Sequence, residues 1–177
     1  MASILKTDKI EGVTASGTVQ MPAGMVVQTV YTDPVGTETN VTANSFTDIG
    51  LSLTITPKFS TSKNLIIIPF PVYIFGNSQT TEPKASVRLM RSIGGGSYSS
   101  ITTFQDGDDT TFKHELSANS DWNIDHGTFT HFDDHNTASQ IIYKVQFKCT
   151  SASGTIRIAN GNTTANSPRM FLQEIAQ

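Results

Sequence analysis

NLIIIPFPVYIF, residues 64–75, is the least polar stretch of the chain and decides how the rest is read. Side chains alternate across a strand, so Ile66, Ile68, Phe70, Val72 and Ile74 share one side. Leu65, Ile67, Pro69, Pro71, Tyr73 and Phe75 share the other. An antiparallel strand usually gives one face to the core and one to water, but here both faces are apolar. Pro69 and Pro71 add a constraint. Residues two apart send their N–H groups toward the same edge, so these prolines remove two donors from one edge. The stretch reads as a strand whose second face is covered by something, and a second copy of the chain is the expected cover.

Working outward, strands follow at short, regular spacing. MVVQTVYT precedes the stretch. SFTDIGLSLTITP is two short strands or one strand bent at Gly50, and it turns Leu51, Leu53 and Ile55 inward before Pro57 stops it. FSTSKN is a turn-rich link. ASVRLMRSI puts Ala85, Val87 and Leu89 on one face, GGGSYSS connects a hairpin, and ITTFQ follows. TFKHELSANSDWNIDHG has no clear period and reads as a short helix or a long loop. GTFTHF, QIIYKVQFKCT, GTIRIAN and RMFLQEIA complete nine or ten strands. The pattern predicts an all-β protein, an antiparallel two-sheet sandwich of jelly-roll-like type, with immunoglobulin-like topology as the alternative.

Residues 1–24 differ. Ile4, Leu5, Ile10, Val13, Val19 and Met21 are scattered among glycines and cannot form a core, so this segment reads as an extended arm. The domains expected are an arm over 1–24 and a sandwich over 25–177.

Composition narrows function. The chain has 177 residues, a net charge of −3 and 15% charged residues, against about 25% in ordinary proteins. Thr (25), Ser (18) and Asn (10) take their place, which suits strands and surfaces that meet other surfaces with little charge to desolvate. With no Lys/Arg-rich run, nucleic acid is not an expected partner. No apolar run is long enough to span a bilayer, and no secretory signal is visible, so membrane insertion is not expected and synthesis in a cytoplasm is. The one cysteine, Cys149, shares a face with Ile141, Tyr143, Val145 and Phe147 and reads as a buried thiol.

Little in the sequence announces chemistry. His126, His131 and His135, with His114 upstream and Asp125, Asp133 and Asp134 beside them, are metal-ligating residue types. Their spacing fits neither a helical pair nor a zinc finger, and ordinary histidines are the plainer reading. DGDDT at 106–110 lacks the frame of a Ca²⁺ loop. GGGS at 94–97 lacks the Lys-Ser/Thr of a phosphate loop, and there is no GxSxG. Neither a cofactor nor catalytic residues are expected. Trp122, in a polar Asn/Asp setting, is either a sugar-stacking ring or a plug at one end of the sandwich.

Several stretches together carry a resemblance: MASILKTDKIEG, GTVQMPAGMVVQTVYT, TANSFTDIGLSLTITPKFSTSKNLIII, VRLMRSIGGGSYS, QIIYKVQFKCTSASGTIRIANG and FLQEIA. The chain resembles small phage tail-fibre-like proteins of the marine and cyanobacterial type along nearly its whole length, most weakly over 104–136. The resemblance implies a virion structural protein and homotrimer, attached by its N-terminal segment and carrying no catalytic residues. On that basis Ile4, Leu5 and Ile10 are expected to join the particle, and Phe70, Val72 and Ile74 to lie at the subunit interface. The segment 104–136 is expected to touch a host-surface glycan or protein through Trp122, His126, His131 and Phe132. A capsid decoration protein is the alternative, and a polysaccharide-degrading enzyme or a free-standing cellular module fits less well.

Overall fold

The computed structural model describes residues 22–36, 38–42, 44–76, 84–104, 111–113, 121–150, 154–158 and 167–177. Among the described residues there are eleven strands and no helix. They are β1 (Val26–Tyr31), β2 (Thr39–Val41), β3 (Thr47–Ile55), β4 (Lys63–Gly76), β5 (Lys84–Ile93) and β6 (Ser99–Phe104), then β7 (Phe112–Lys113), β8 (Asp121–Asp133), β9 (Ile141–Cys149), β10 (Gly154–Ile158) and β11 (Phe171–Ile175). Two antiparallel sheets pack as a sandwich. One holds β1-β11-β4-β10-β2 with β8 also on β4. The other holds β3-β9-β5-β6 with β7 on β5.

The stretch 64–75 is the spine of the first sheet. β8 runs along one edge of β4 without a break, from Asn64↔Asp133 to Gly76↔Asp121. The other edge is divided. β11 covers Lys63–Ile67 and β10 covers Val72–Gly76. The four positions between, 68–71, have no ladder partner on that side among the described residues, and they hold both prolines. The Pro69 carbonyl accepts a bond from the Arg169 N–H at 3.5 Å. A strand residue's N and C=O point to the same side, so the missing Pro69 donor faces this gap. The prolines therefore divide one edge of a central strand between two partners.

The inner face of β4 fills the core. Ile66, Ile68, Phe70, Val72 and Ile74 are buried against Leu51, Leu53, Ile55, Val87, Leu89, Val145 and Phe147 of the other sheet. This corrects the sequence expectation for Phe70, Val72 and Ile74. They lie in the chain's own core and cannot face a second subunit. Phe70 contacts both Phe129 and Phe147 at 5.4 Å between ring centroids, and Phe129 also meets Phe104 and Phe112. Gly127 makes room for this cluster, because a Cβ there would stand 3.1 Å from the Phe112 ring.

The inward alternation expected for Leu51, Leu53, Ile55, Ala85, Val87, Leu89 and Cys149 is present. The bend at Gly50 is a bulge with φ of +77°. In the stretch 111–127, expected as a short helix or a long loop, the described residues are almost all strand: β7 takes Phe112–Lys113 and β8 begins at Asp121. Most of the arm, with Ile4, Leu5 and Ile10, lies outside the described residues, as do DGDDT and His114. The strand pairing begins at Gly24, whose N–H bonds to the Ala176 carbonyl at 2.8 Å.

Candidate interaction face and its groove

Register across the first sheet builds rows of side chains on its outer face. One row reads Tyr31, Phe171, Ile67, Thr130 across β1, β11, β4 and β8. The next reads Thr29, Gln173, Leu65, Phe132. A third, at the far end, reads Arg157, Tyr73, Ile124. Tyr31 is 67% exposed, Phe132 61%, Ile124 48% and Phe171 36%. The Tyr31 and Phe171 rings lie 6.4 Å apart. Of the seven large apolar residues exposed among those described, only Tyr98 lies away from this sheet and its leading turn. Scattered exposed apolar residues are ordinary, whereas ones aligned on a single face mark a contact surface.

The outer side of β4 is partly closed by the chain itself. Pro71 and Tyr73 are buried, and Leu65, Ile67 and Pro69 are half-buried. Over the ladder gap the face opens into a groove of about 410 Å³, whose polar lining is His126, Thr128, Ser167 and Arg169 and whose apolar walls include Pro71 and Phe171. Arg169 is half-buried and has no carboxylate within ion-pair distance among the described residues. Along this edge the prolines present no N–H, so a peptide strand cannot complete a ladder there.

The residues expected to touch a receptor do not converge. His126 and Phe132 are on the outer face, opposite Pro71 and Leu65 respectively. His131 pairs with Ile66 and lies on the inward-facing side with Phe129. Trp122 belongs to the strand ladder, paired with Phe75, and not to a loop. A five-residue step along a strand reverses the face, so His126 and His131 cannot serve one site. His135 is buried elsewhere. Among the described residues no group of three or more His, Cys, Asp or Glu is placed to hold a metal ion.

The buried polar end of the sandwich was not among the sequence expectations. Glu174 is 0% exposed. It accepts from the Lys58 N–H at 2.9 Å, the Phe59 N–H at 3.0 Å, the Ser62 hydroxyl at 2.6 Å and Gln28 Nε2 at 2.6 Å. Burial alone would raise its pKa, but these donors outweigh it and hold the carboxyl below its ordinary value. Ser62 Oγ is 3.4 Å from His135 Nε2. The Thr137 N–H donates to His135 Nδ1 at 3.3 Å. Ser, His and Glu thus meet, yet not as a nucleophilic triad. The carboxylate binds the hydroxyl instead of orienting the imidazole, and Ser62 is buried. The cluster ties the turn before β4 to β11.

Beside it, Tyr143 donates to Asp133 at 2.6 Å and accepts from Asn64 at 2.9 Å, while Arg91 pairs with Asp133 at 2.5 Å. Burial, reinforced by the bond to Asp133, pushes the Tyr143 phenol far above its usual value. The available signal was a polar residue at a core position of an apolar strand, as Glu174 is beside Leu172.

No family model and no curated protein matches the chain. Among solved structures, the chain is similar to one described as the structure of infectious bursal disease virus Gx strain, with 13% identity and a TM-score of 0.31. The match covers 99% of this chain and 41% of that one, so this chain spans about two-fifths of its length.

Proposed function

We propose that the chain is a structural subunit of a phage particle, of tail-fibre or spike type. It assembles as a homotrimer through the outer face of the first sheet. Residues 1–24 join it to the particle, and the sandwich is presented to the host surface. The reading is supported by the resemblance of its sequence blocks to tail-fibre-like proteins and by the rigid all-β frame. The observation that carries it is the aligned apolar face of Tyr31, Phe171, Ile67, Leu65 and Phe132. In a closed assembly that face meets a copy of itself or a neighbour and leaves no open edge to polymerise.

The first test is the absolute mass in solution by light scattering. Three times 19.1 kDa supports the trimer, and a mass of 19.1 kDa overturns it. Deleting residues 2–22 should leave the oligomer intact and abolish incorporation into the particle. A truncated protein that still incorporates would remove the arm's role.

A further inference from the structure

The assembly face of the first sheet holds one cation that its own chain leaves unpaired, Arg169, and we propose that Asp33 of a second copy enters the groove to meet it. The inference deepens the assembly reading above and rests on it for the contact between copies.

Arg169 lines the groove of about 410 Å³ over the divided edge of β4, together with His126, Thr128 and Ser167. No carboxylate belongs to that lining, and Arg169 pairs with no carboxylate of the described residues. Ser167 is only 6% exposed and adds a hydroxyl that no described residue takes up. The polar side chains of the groove are thus a guanidinium, an imidazole and two hydroxyls, all able to donate to an anion and none of them anionic. In a single chain the half-buried Arg169 is hydrated through the opening. Closed under a second copy it loses that water, and an unpaired charge at a buried contact is strongly unfavourable. A contact over this face must therefore bring an anion with it.

Asp33 is the carboxylate placed to supply it. It lies two positions beyond Tyr31, is exposed, and pairs with no cation of the described residues. Its segment runs beside that of Arg169: the Thr32 N–H bonds the Met170 carbonyl at 3.0 Å and the Val35 N–H the Pro168 carbonyl at 3.2 Å. The two charges of one chain nevertheless do not pair, and the groove that Arg169 lines holds residues of β4 and β8 and none of 31–35. The other carboxylates whose surroundings are described are engaged. Asp48 pairs with Lys144, Glu38 with Arg157 and Asp134 with Lys63, Asp133 and Glu174 are buried, and Asp125 has a partner. β1 is an edge strand with β11 as its ladder partner, so Asp33 stands at the rim of the sheet and Arg169 nearer its middle. A cyclic trimer joins two different patches of each chain. The β1 rim of one copy laid over the groove of the next is such a contact, and it brings the exposed Tyr31 ring with it.

The test follows solution mass by light scattering over a dilution series. Arg169→Gln and Asp33→Asn should each raise the concentration at which the oligomer dissociates by at least about tenfold, with the circular dichroism spectrum unchanged. Charge reversal separates a pair between chains from a pair within one. Arg169→Asp and Asp33→Arg should each give single chains, and an equimolar mixture of the two should recover oligomers that contain both. Recovery only when both reversals sit in the same chain would mean an internal pair and overturn the proposal. So would a wild-type protein that associates only after succinate is added, because its anion would then come from solution. An oligomer that keeps its mass on dilution in Arg169→Gln and Asp33→Asn would sink this inference alone. A wild-type protein that is a single chain at every concentration would sink the assembly reading and this inference with it.

Discussion

The two faces of β4 are equally apolar in sequence and differ in everything else. The inner face, Ile66 to Ile74, is sealed by the opposite sheet. The outer face is half-closed by its neighbours and ends in exposed aromatic rows. Alternation assigns residues to two sides, but it does not say which side meets the second sheet. That is fixed by partners far along the chain. The interface assignment fell on the wrong parity for this reason.

The comparison can be broken most directly at Phe70. Phe70→Asp places a charge in the inner face and should cost on the order of 5 kcal/mol or prevent folding, as read by denaturant unfolding. A mild effect would mean the inner face is not the core. Glu174→Gln comes next. It weakens four bonds at the end of the same interior and should cost about 2 kcal/mol at neutral pH. Because the folded carboxyl lies below its ordinary 4.5, its stabilisation is complete above that value and lost as pH falls through the lower folded one. The acid limb of the stability curve should therefore flatten in Glu174→Gln, and an unchanged limb would show that the tether carries no charge.

On the outer face, Tyr31→Ser with Phe132→Ser should shift stability of the isolated fold by about 0.5 kcal/mol per site or less. It should nevertheless lower the solution mass toward that of a single chain. Unfolding of the double variant would make the two faces equivalent and remove the contrast. A modest effect is expected at Gly127→Ala on the inner side, where the added methyl displaces the Phe112 ring and costs about 1 kcal/mol, read by denaturant unfolding.

The fold was largely legible because strands announce themselves through alternation. MVVQTVYT, SLTI, ASVRL and QIIYKVQFKC all appear where the period places them. The three-residue β2 and two-residue β7 are too short to show a period. β8 was obscured because its inward positions, Asp125, Gly127, Phe129 and His131, mix polar, small and apolar residues and show no apolar period of two. The candidate sites were less legible. Tyr31 and Phe171 sit 140 positions apart and become neighbours only through β1–β11 pairing. Likewise, the bulge at Gly50 brings Asp48 beside Lys144, a juxtaposition no local spacing encodes.

The divided edge of β4 also sets an order of events. This one strand must find residues 121–133, 154–158 and 171–175 before its sheet exists. β1, which precedes β4 in the chain, has its ladder partner in β11, which follows all the others. Such long-range closure makes folding slow. A nascent chain emerging from the ribosome would carry an unsealed β4 until residue 175 has followed it, and during that interval two apolar faces of one strand are open to other chains. The prolines that divide the edge in the finished protein also leave a stretch of it unable to template pairing while it waits.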